Sequence, residues 1–148
     1  MSLLTPKLLE RILKEYALPW RGTHGITHWA RVLENARGLA QLTGADLQVV
    51  ELFAVFHDSR RMNERVDHGH GRRGAALARE LRGTAFDLDD GRLALLEYAC
   101  AEHTHGLTTG DISVQVCWDA DRLDLLRVGI QPHPNLLCTE AAREPEIL

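Results

Sequence analysis

Cysteine is scarce in this sequence. Cys100, Cys117 and Cys138 are an odd, scattered set with no CxxC spacing, which excludes a disulfide framework and a zinc–thiolate site. Long apolar runs are also missing. The opening stretch MSLLTPKLLE has no extended hydrophobic segment, and nothing approaches membrane-spanning length. Positive charge is not in excess. A net charge of -4 excludes a general nucleic-acid binder with a basic face, while leaving room for a nucleotide held by a few local cations. Internal repeats and low-complexity segments are absent, and no stretch alternates well enough to predict a sheet. These absences imply a soluble, cytoplasmic protein with no membrane association and no stable nucleic-acid binding.

What remains is enough for a core. The 148 residues are 45% hydrophobic and 26% charged, the balance of one ordinary domain. Periodicity predicts helices over 5–16, 27–42, 46 to about 63, 70–81, 92–105 and 111 to about 129. Thr5, Asp46 and Asp111 suit N-caps, and Pro6 suits a first turn. The class is all-α, a single-domain bundle of about six helices spanning 1–148. Its core covers about 24–129, and the proline-containing tail, 130–148, is expected to be mostly irregular.

Eight histidines are present, and their places matter more than their number. The stretch AVFHDSRR puts His57 and Asp58 at the end of an apolar stripe formed by Val49, Val50, Phe53, Ala54 and Phe56. A His–Asp pair carried into a core is costly unless satisfied, and a metal ion is the simplest partner. His28 lies on the inner face of its helix with Val32, Ala36 and Leu39. Asp121 falls in a stripe with Val114, Cys117, Leu125 and Val128, whereas Asp119 lies on a more mixed face. Taken singly, His28 reads as a hydrogen-bonded core residue and Asp121 as a partner for a nearby arginine. Together, His28, His57, Asp58 and Asp121 come from three helices, which is how bundles build metal centres. Two imidazoles and two carboxylates suit Mn, Fe, Co, Ni or Zn as divalent ions.

The order His28, His57-Asp58, Asp121, with flanks HGITHWARV and DADRLDLLRVG, resembles the HD-domain superfamily of metal-dependent phosphohydrolases. Small stand-alone bacterial members are the most similar, and the resemblance covers roughly 24–129. It implies an all-α core and a metal centre holding one or two ions. The family's AD-x-L pattern selects Asp121 over Asp119 as ligand, in agreement with the helical faces. Some members carry two further histidines and hold two metals. By that resemblance His70 and His103 complete a second site bridged by Asp58. The alternative leaves His70 in a loop and His103 in the substrate pocket. Where one branch has a phosphate-contacting lysine three residues after the HD pair, this chain has Arg61, better suited to bidentate contact. Arg60, Arg72 and Arg73 are candidates for an anion-binding rim, or for solvated positions. His24 belongs near the pocket mouth or in a loop, and His68 and His105 are expected outside the centre.

Three named branches do not match. Arg60 and Arg61 replace the acidic pair of the ppGpp-hydrolase branch. Arg61 also stands where deoxynucleotidases have glutamate. After His105 the chain reads GLTTG rather than the GYP of the cyclic-dinucleotide branch. The resemblance therefore implies a metal-dependent phosphohydrolase, a phosphomonoesterase or phosphodiesterase, acting on a small phosphorylated substrate with nucleotides among the candidates. Asp58 or Asp119 is expected to take the proton from water. Two other classes stay open: a di-iron oxygenase resembling inositol oxygenase, and a non-catalytic helical module with a structural metal.

Overall fold

The third predicted helix is the one around which the others assemble. In the computed structural model, which describes residues 2–144, α3 spans Leu47–Phe56 and every residue from Val49 to Phe56 is buried. Such a helix is apolar on all sides and must be surrounded. It is packed against α1 (Pro6–Lys14), α2 (Ile26–Thr43), α4 (His70–Leu81), α5 (Asp90–Glu102) and α6 (Ile112–Leu123). A short α7, Glu140–Arg143, leans on α2. Among the described residues there is no strand beyond one isolated bridge between Arg82 and Phe86. None of their helices is long and apolar enough to cross a membrane.

The caps follow the expected chemistry. Thr5 Oγ1 accepts the Leu8 amide at 3.2 Å, and Asp46 Oδ1 accepts the Val49 amide at 3.1 Å. Asp111 Oδ1 accepts the Ser113 amide at 2.8 Å. Each occupies an amide that the helix itself leaves without a partner.

Two predicted helices are shorter than expected. The third stops at Phe56 instead of running on towards Asn63. There Ser59 Oγ donates to the Phe56 carbonyl at 2.8 Å, and α4 crosses immediately beside it. A Cβ at Gly74 would lie 2.3 Å from the Phe56 carbonyl oxygen, and one at Gly71 would lie 2.2 Å from the Cys100 carbonyl oxygen. Only hydrogen fits at either place, so the GRRG spacing lets α4 lie directly on the ends of α3 and α5. The sixth helix ends at Leu123 and gives way to a 3-10 segment, Asp124–Val128. Leu126 and Val128 there are exposed, so no apolar stripe continues to support an α-helix.

The tail is irregular through most of 130–139 but is not loose. Leu137, Thr139 and Ala142 are buried. Asp119, itself fully buried, accepts the amides of Cys138 and Thr139 at 2.6 and 2.9 Å and the Thr139 hydroxyl at 2.7 Å. Three donors on one carboxylate fasten the tail to α6. The tail residues 145–148 lie outside the described residues.

Candidate metal centre

Asp58 is placed in the first turn beyond α3 and is 2% exposed. Its two carboxylate oxygens face two different pairs of histidines. Oδ2 lies 3.3 Å from His28 Nε2 and 3.3 Å from His57 Nε2. Oδ1 lies 3.2 Å from His70 Nε2 and 3.5 Å from His103 Nε2. Asp121 Oδ1 completes the first group, 3.1 Å from His28 Nε2 and 3.3 Å from His57 Nε2. His28 comes from α2, His57 from the C-cap of α3, His70 from the first position of α4, His103 from the C-cap of α5 and Asp121 from α6.

The far side of each ring fixes its tautomer. His57 Nδ1–H donates to the Phe53 and Ala54 carbonyls at 3.0 and 3.1 Å. His70 Nδ1–H donates to the Asp67 carbonyl at 2.7 Å, and His103 Nδ1–H to the Cys100 carbonyl at 2.7 Å. His28 Nδ1–H donates to Asp124 Oδ2 at 2.6 Å. With Nδ1 carrying the proton, each neutral ring turns an Nε2 lone pair into the cluster. The two Nε2 atoms of each pair are 3.1 Å apart in the first group and 3.0 Å in the second. Phe53 stacks on His57 at 4.8 Å and holds that ring in plane.

Such an arrangement brings lone pairs together with no donor between them. It demands positive charge. Burial opposes the charged form of His28, but the carboxylates of Asp121, Asp124 and Asp58 outweigh it and push the ring up to about 9. For His57, burial is likewise outweighed by Asp58 and Asp121, and the ring is pushed up to about 10. Burial works against the ionised carboxylates as well, yet the surrounding histidines hold Asp58 and Asp121 well below the usual carboxylate range. A metal ion answers the same demand without protons. Donors placed roughly 2.0–2.2 Å from one ion sit about 3–3.5 Å from each other, which is the spacing observed. His28, His57 and Asp58 form one group whose donor atoms lie within 4.8 Å of one another, and Asp58, His70 and His103 form another. The residues therefore fit a divalent ion in each group.

Asp124 is a functional residue that the sequence reading missed. Its Oδ1 accepts from Arg31 Nε at 2.6 Å while its Oδ2 holds His28. A carboxylate behind a histidine fixes the ring and raises its basicity towards a metal. The available signal was its position, three residues after Asp121 and so on the same helical face.

One expected role needs correction, and a second is narrowed. Asp119 does not face the centre, because the buried donors of Cys138 and Thr139 hold its carboxylate, so it cannot take a proton from water there. Arg61 does lie beside Asp58, with Nε 3.2 Å from Oδ1. Its Nη1, however, donates to the Asn63 and Arg65 carbonyls at 3.2 and 3.0 Å. Nε and Nη1 are thus held by Asp58 and the loop that follows, which leaves Nη2 for any contact to phosphate. Arg73 is tied to Asp67, Arg60 and His68, and Arg60 to Glu15, so the expected anion rim is not formed by them. Arg72 is exposed. His24 pairs with Glu64 at 2.8 Å and meets His28 edge-on, while His68 and His105 are exposed.

The centre opens on one side only partly. Asp121, with 18% of its side chain exposed, and His103 line a cavity of about 320 Å³ together with Thr104, Arg122, Arg127 and His133. A separate cavity of about 530 Å³ lies along Glu15, Arg60, Arg61 and Arg73 and includes none of the histidines.

No protein-family model and no curated protein matches the chain. Among solved structures, the crystal structure of a predicted HD superfamily hydrolase from an uncultured Thermotogales bacterium is similar to it. The TM-score is 0.73 at 31% sequence identity, over 96% of this chain and 82% of that one. With an all-helical core and buried His/Asp groups able to hold metal, and with 31% identity to that protein over 96% of its own residues, the chain belongs to the HD superfamily.

Proposed function

We propose that the protein is a metal-dependent phosphohydrolase acting on a small phosphorylated molecule, with nucleotides among the candidates. One observation carries the reading. Four buried histidines, each pinned at Nδ1, turn Nε2 in two pairs onto the two oxygens of Asp58. His28, His57, Asp58 and Asp121 hold one divalent ion, and Asp58, His70 and His103 hold a second. Divalent ions so placed supply charge stabilisation for a phosphoryl oxygen and acidify a water molecule.

The chain's own groups do the remaining work. Asp58 fixes the spacing of the two groups, and Arg61 orients it through Oδ1. Both Asp58 oxygens face histidines and Asp121 Oδ1 does too. Asp121 Oδ2 is then the carboxylate oxygen of the cluster left to accept a proton from attacking water at the cavity mouth. The cavity of about 320 Å³ sits at the lower end of small-molecule pockets, roughly 300–1,000 Å³, which supports a small substrate over a polymer. The test is a screen of phosphomonoesters, nucleotides and phosphodiesters with protein loaded with Mn²⁺. Phosphate release that vanishes in Asp121→Asn supports the reading, and no release from any class argues against it.

The second histidine pair also favours examining a di-iron oxygenase. Loading with Fe²⁺ under anaerobic conditions separates the two chemistries. Substrate-dependent O₂ uptake without phosphate release replaces the hydrolase reading, and phosphate release without O₂ uptake retains it.

A further inference from the structure

Arg122 is a buried arginine without a carboxylate. It is 8% exposed, and among the described residues its polar contacts are the Leu136 carbonyl, which accepts from Nη1 at 2.6 Å, and Cys138 Sγ at 3.7 Å. The guanidinium lies over the Trp118 ring, 5.6 Å from its centroid. Nη2 is buried with no hydrogen-bond partner. The other arginines near the centre differ. Arg127 donates to the Thr23 and Asp124 carbonyls, and Arg61 to Asp58 and two carbonyls.

A buried guanidinium with an unused donor and no counter-charge is an unfavourable arrangement unless an anion completes it. Arg122 follows Asp121 in α6 and lines the same cavity of about 320 Å³ as Asp121 and His103. The cavity wall thus carries candidate metal donors from both groups and a fixed positive charge. An anion long enough to reach from the candidate metal donors to Arg122 would touch both.

We propose that Arg122 recognises a second anionic group of the substrate, separate from the phosphoryl group at the metal centre. The substrate class is then a small molecule with two anionic groups, such as a di- or triphosphate or a phosphorylated acid. This inference rests on the phosphohydrolase reading. Trp118 holds the guanidinium from one face, and the Leu136 carbonyl holds Nη1, so the guanidinium is fixed in one orientation. Arginine suits that task because its planar donors match phosphate and carboxylate alike.

The test uses Mn²⁺-loaded protein and calorimetry with compounds that resist hydrolysis, at fixed free Mn²⁺. The probes are methylphosphonate, methylenebisphosphonate, propane-1,3-bisphosphonate and phosphonoacetate. At least one two-anion probe is expected to bind wild type about tenfold or more tighter than methylphosphonate, a typical return from one charge-assisted contact. In Arg122→Gln that preference disappears while methylphosphonate affinity stays within about twofold, and Arg122→Lys keeps part of it. Tighter binding of phosphonoacetate than methylenebisphosphonate identifies a carboxylate as the second group, and the reverse a phosphoryl. Equal affinity of wild type for one-anion and two-anion probes overturns the proposal, whether or not the glutamine variant folds. A preference that survives intact in Arg122→Gln also overturns it. Loss of methylphosphonate binding in Asp121→Asn keeps the underlying reading in place in either case. If wild type binds none of the probes, that reading and this inference fail together.

Discussion

The two halves of the candidate centre are built differently. The first takes His28, His57 and Asp121 from α2, α3 and α6 and shares Asp58 Oδ2, so four protein donors converge. His28 and His57 are fully buried, and Asp124 braces one of them from behind. The second has three donors, His70, His103 and Asp58 Oδ1, and Arg61 shares the same carboxylate oxygen. One of its histidines opens α4, a helix seated by two glycine contacts, and the other lines the cavity. By donor number the first half is the closed one, with four protein donors for one ion, and the second the open one, with three; each half reaches the cavity through one residue, Asp121 and His103.

The largest effect should come from breaking the closed half. His57→Ala or Asp121→Ala leaves buried lone pairs without their ion. We expect loss of both metals, loss of activity and a lower unfolding midpoint, measured by elemental analysis and thermal unfolding. Normal metal content in Asp121→Ala would show that the closed half is not the anchor.

Gly71→Ala should break the open half alone. The added Cβ meets the Cys100 carbonyl at 2.2 Å and His103 Nδ1 at 3.2 Å, and a backbone atom cannot swing aside. We expect a destabilisation of about 1–3 kcal/mol and the loss of one ion while the other stays. His103→Ala should give the same metal count without the strain. If both variants retain two ions, the open half has been misassigned.

Asp124→Asn should weaken the closed half without emptying it, lowering its metal affinity by roughly 10–100-fold. Competition with a chromophoric chelator measures this. An unchanged affinity would mean that His28 needs no brace.

The remaining effect is that of pH. In metal-free protein the surroundings of His28 and His57 push the two rings up to about 9 and about 10, above the ordinary 6.5. Burial opposes their protonation, and the facing aspartates outweigh it. Raised values mean that their protonation stabilises the fold fully below about 6.5, and that this contribution is lost as pH rises through 9 to 10. Melting temperature without metal should therefore fall over that window. Apparent metal affinity should rise over the same window, because protons compete for Nε2. A flat metal affinity between pH 7 and pH 10 would contradict this competition.

The closed half is also the part that was legible in the sequence. His28, His57 and Asp121 each sit in an apolar stripe, and helical periodicity is a strong signal when the helix is long and amphipathic. The all-α class and most helix starts followed from the same pattern and from the caps at Thr5, Asp46 and Asp111. The open half was harder to see. His70 follows a polar loop, and its place depends on how closely α4 approaches α5 and the end of α3, which Gly71 and Gly74 respectively decide through contacts distant in sequence. Asp119 as a base, and the full reach of Arg61, escaped the sequence for one reason. Each has the right charge near the right motif, but partners far along the chain or in the following loop hold all or part of it: Thr139 the Asp119 carboxylate, the Asn63 and Arg65 carbonyls one arm of Arg61. Docking of the tail through Leu137 and Ala142 has no periodic signature, because it depends on a few isolated side chains.

The most direct test is the metal stoichiometry of wild type titrated with Mn²⁺ and followed by calorimetry and elemental analysis. The account predicts two ions per chain with separable affinities, the weaker one absent in His103→Ala and both absent in His57→Ala. One ion per wild-type chain, or two ions that persist in His103→Ala, would contradict a centre shared between two unequal halves by Asp58.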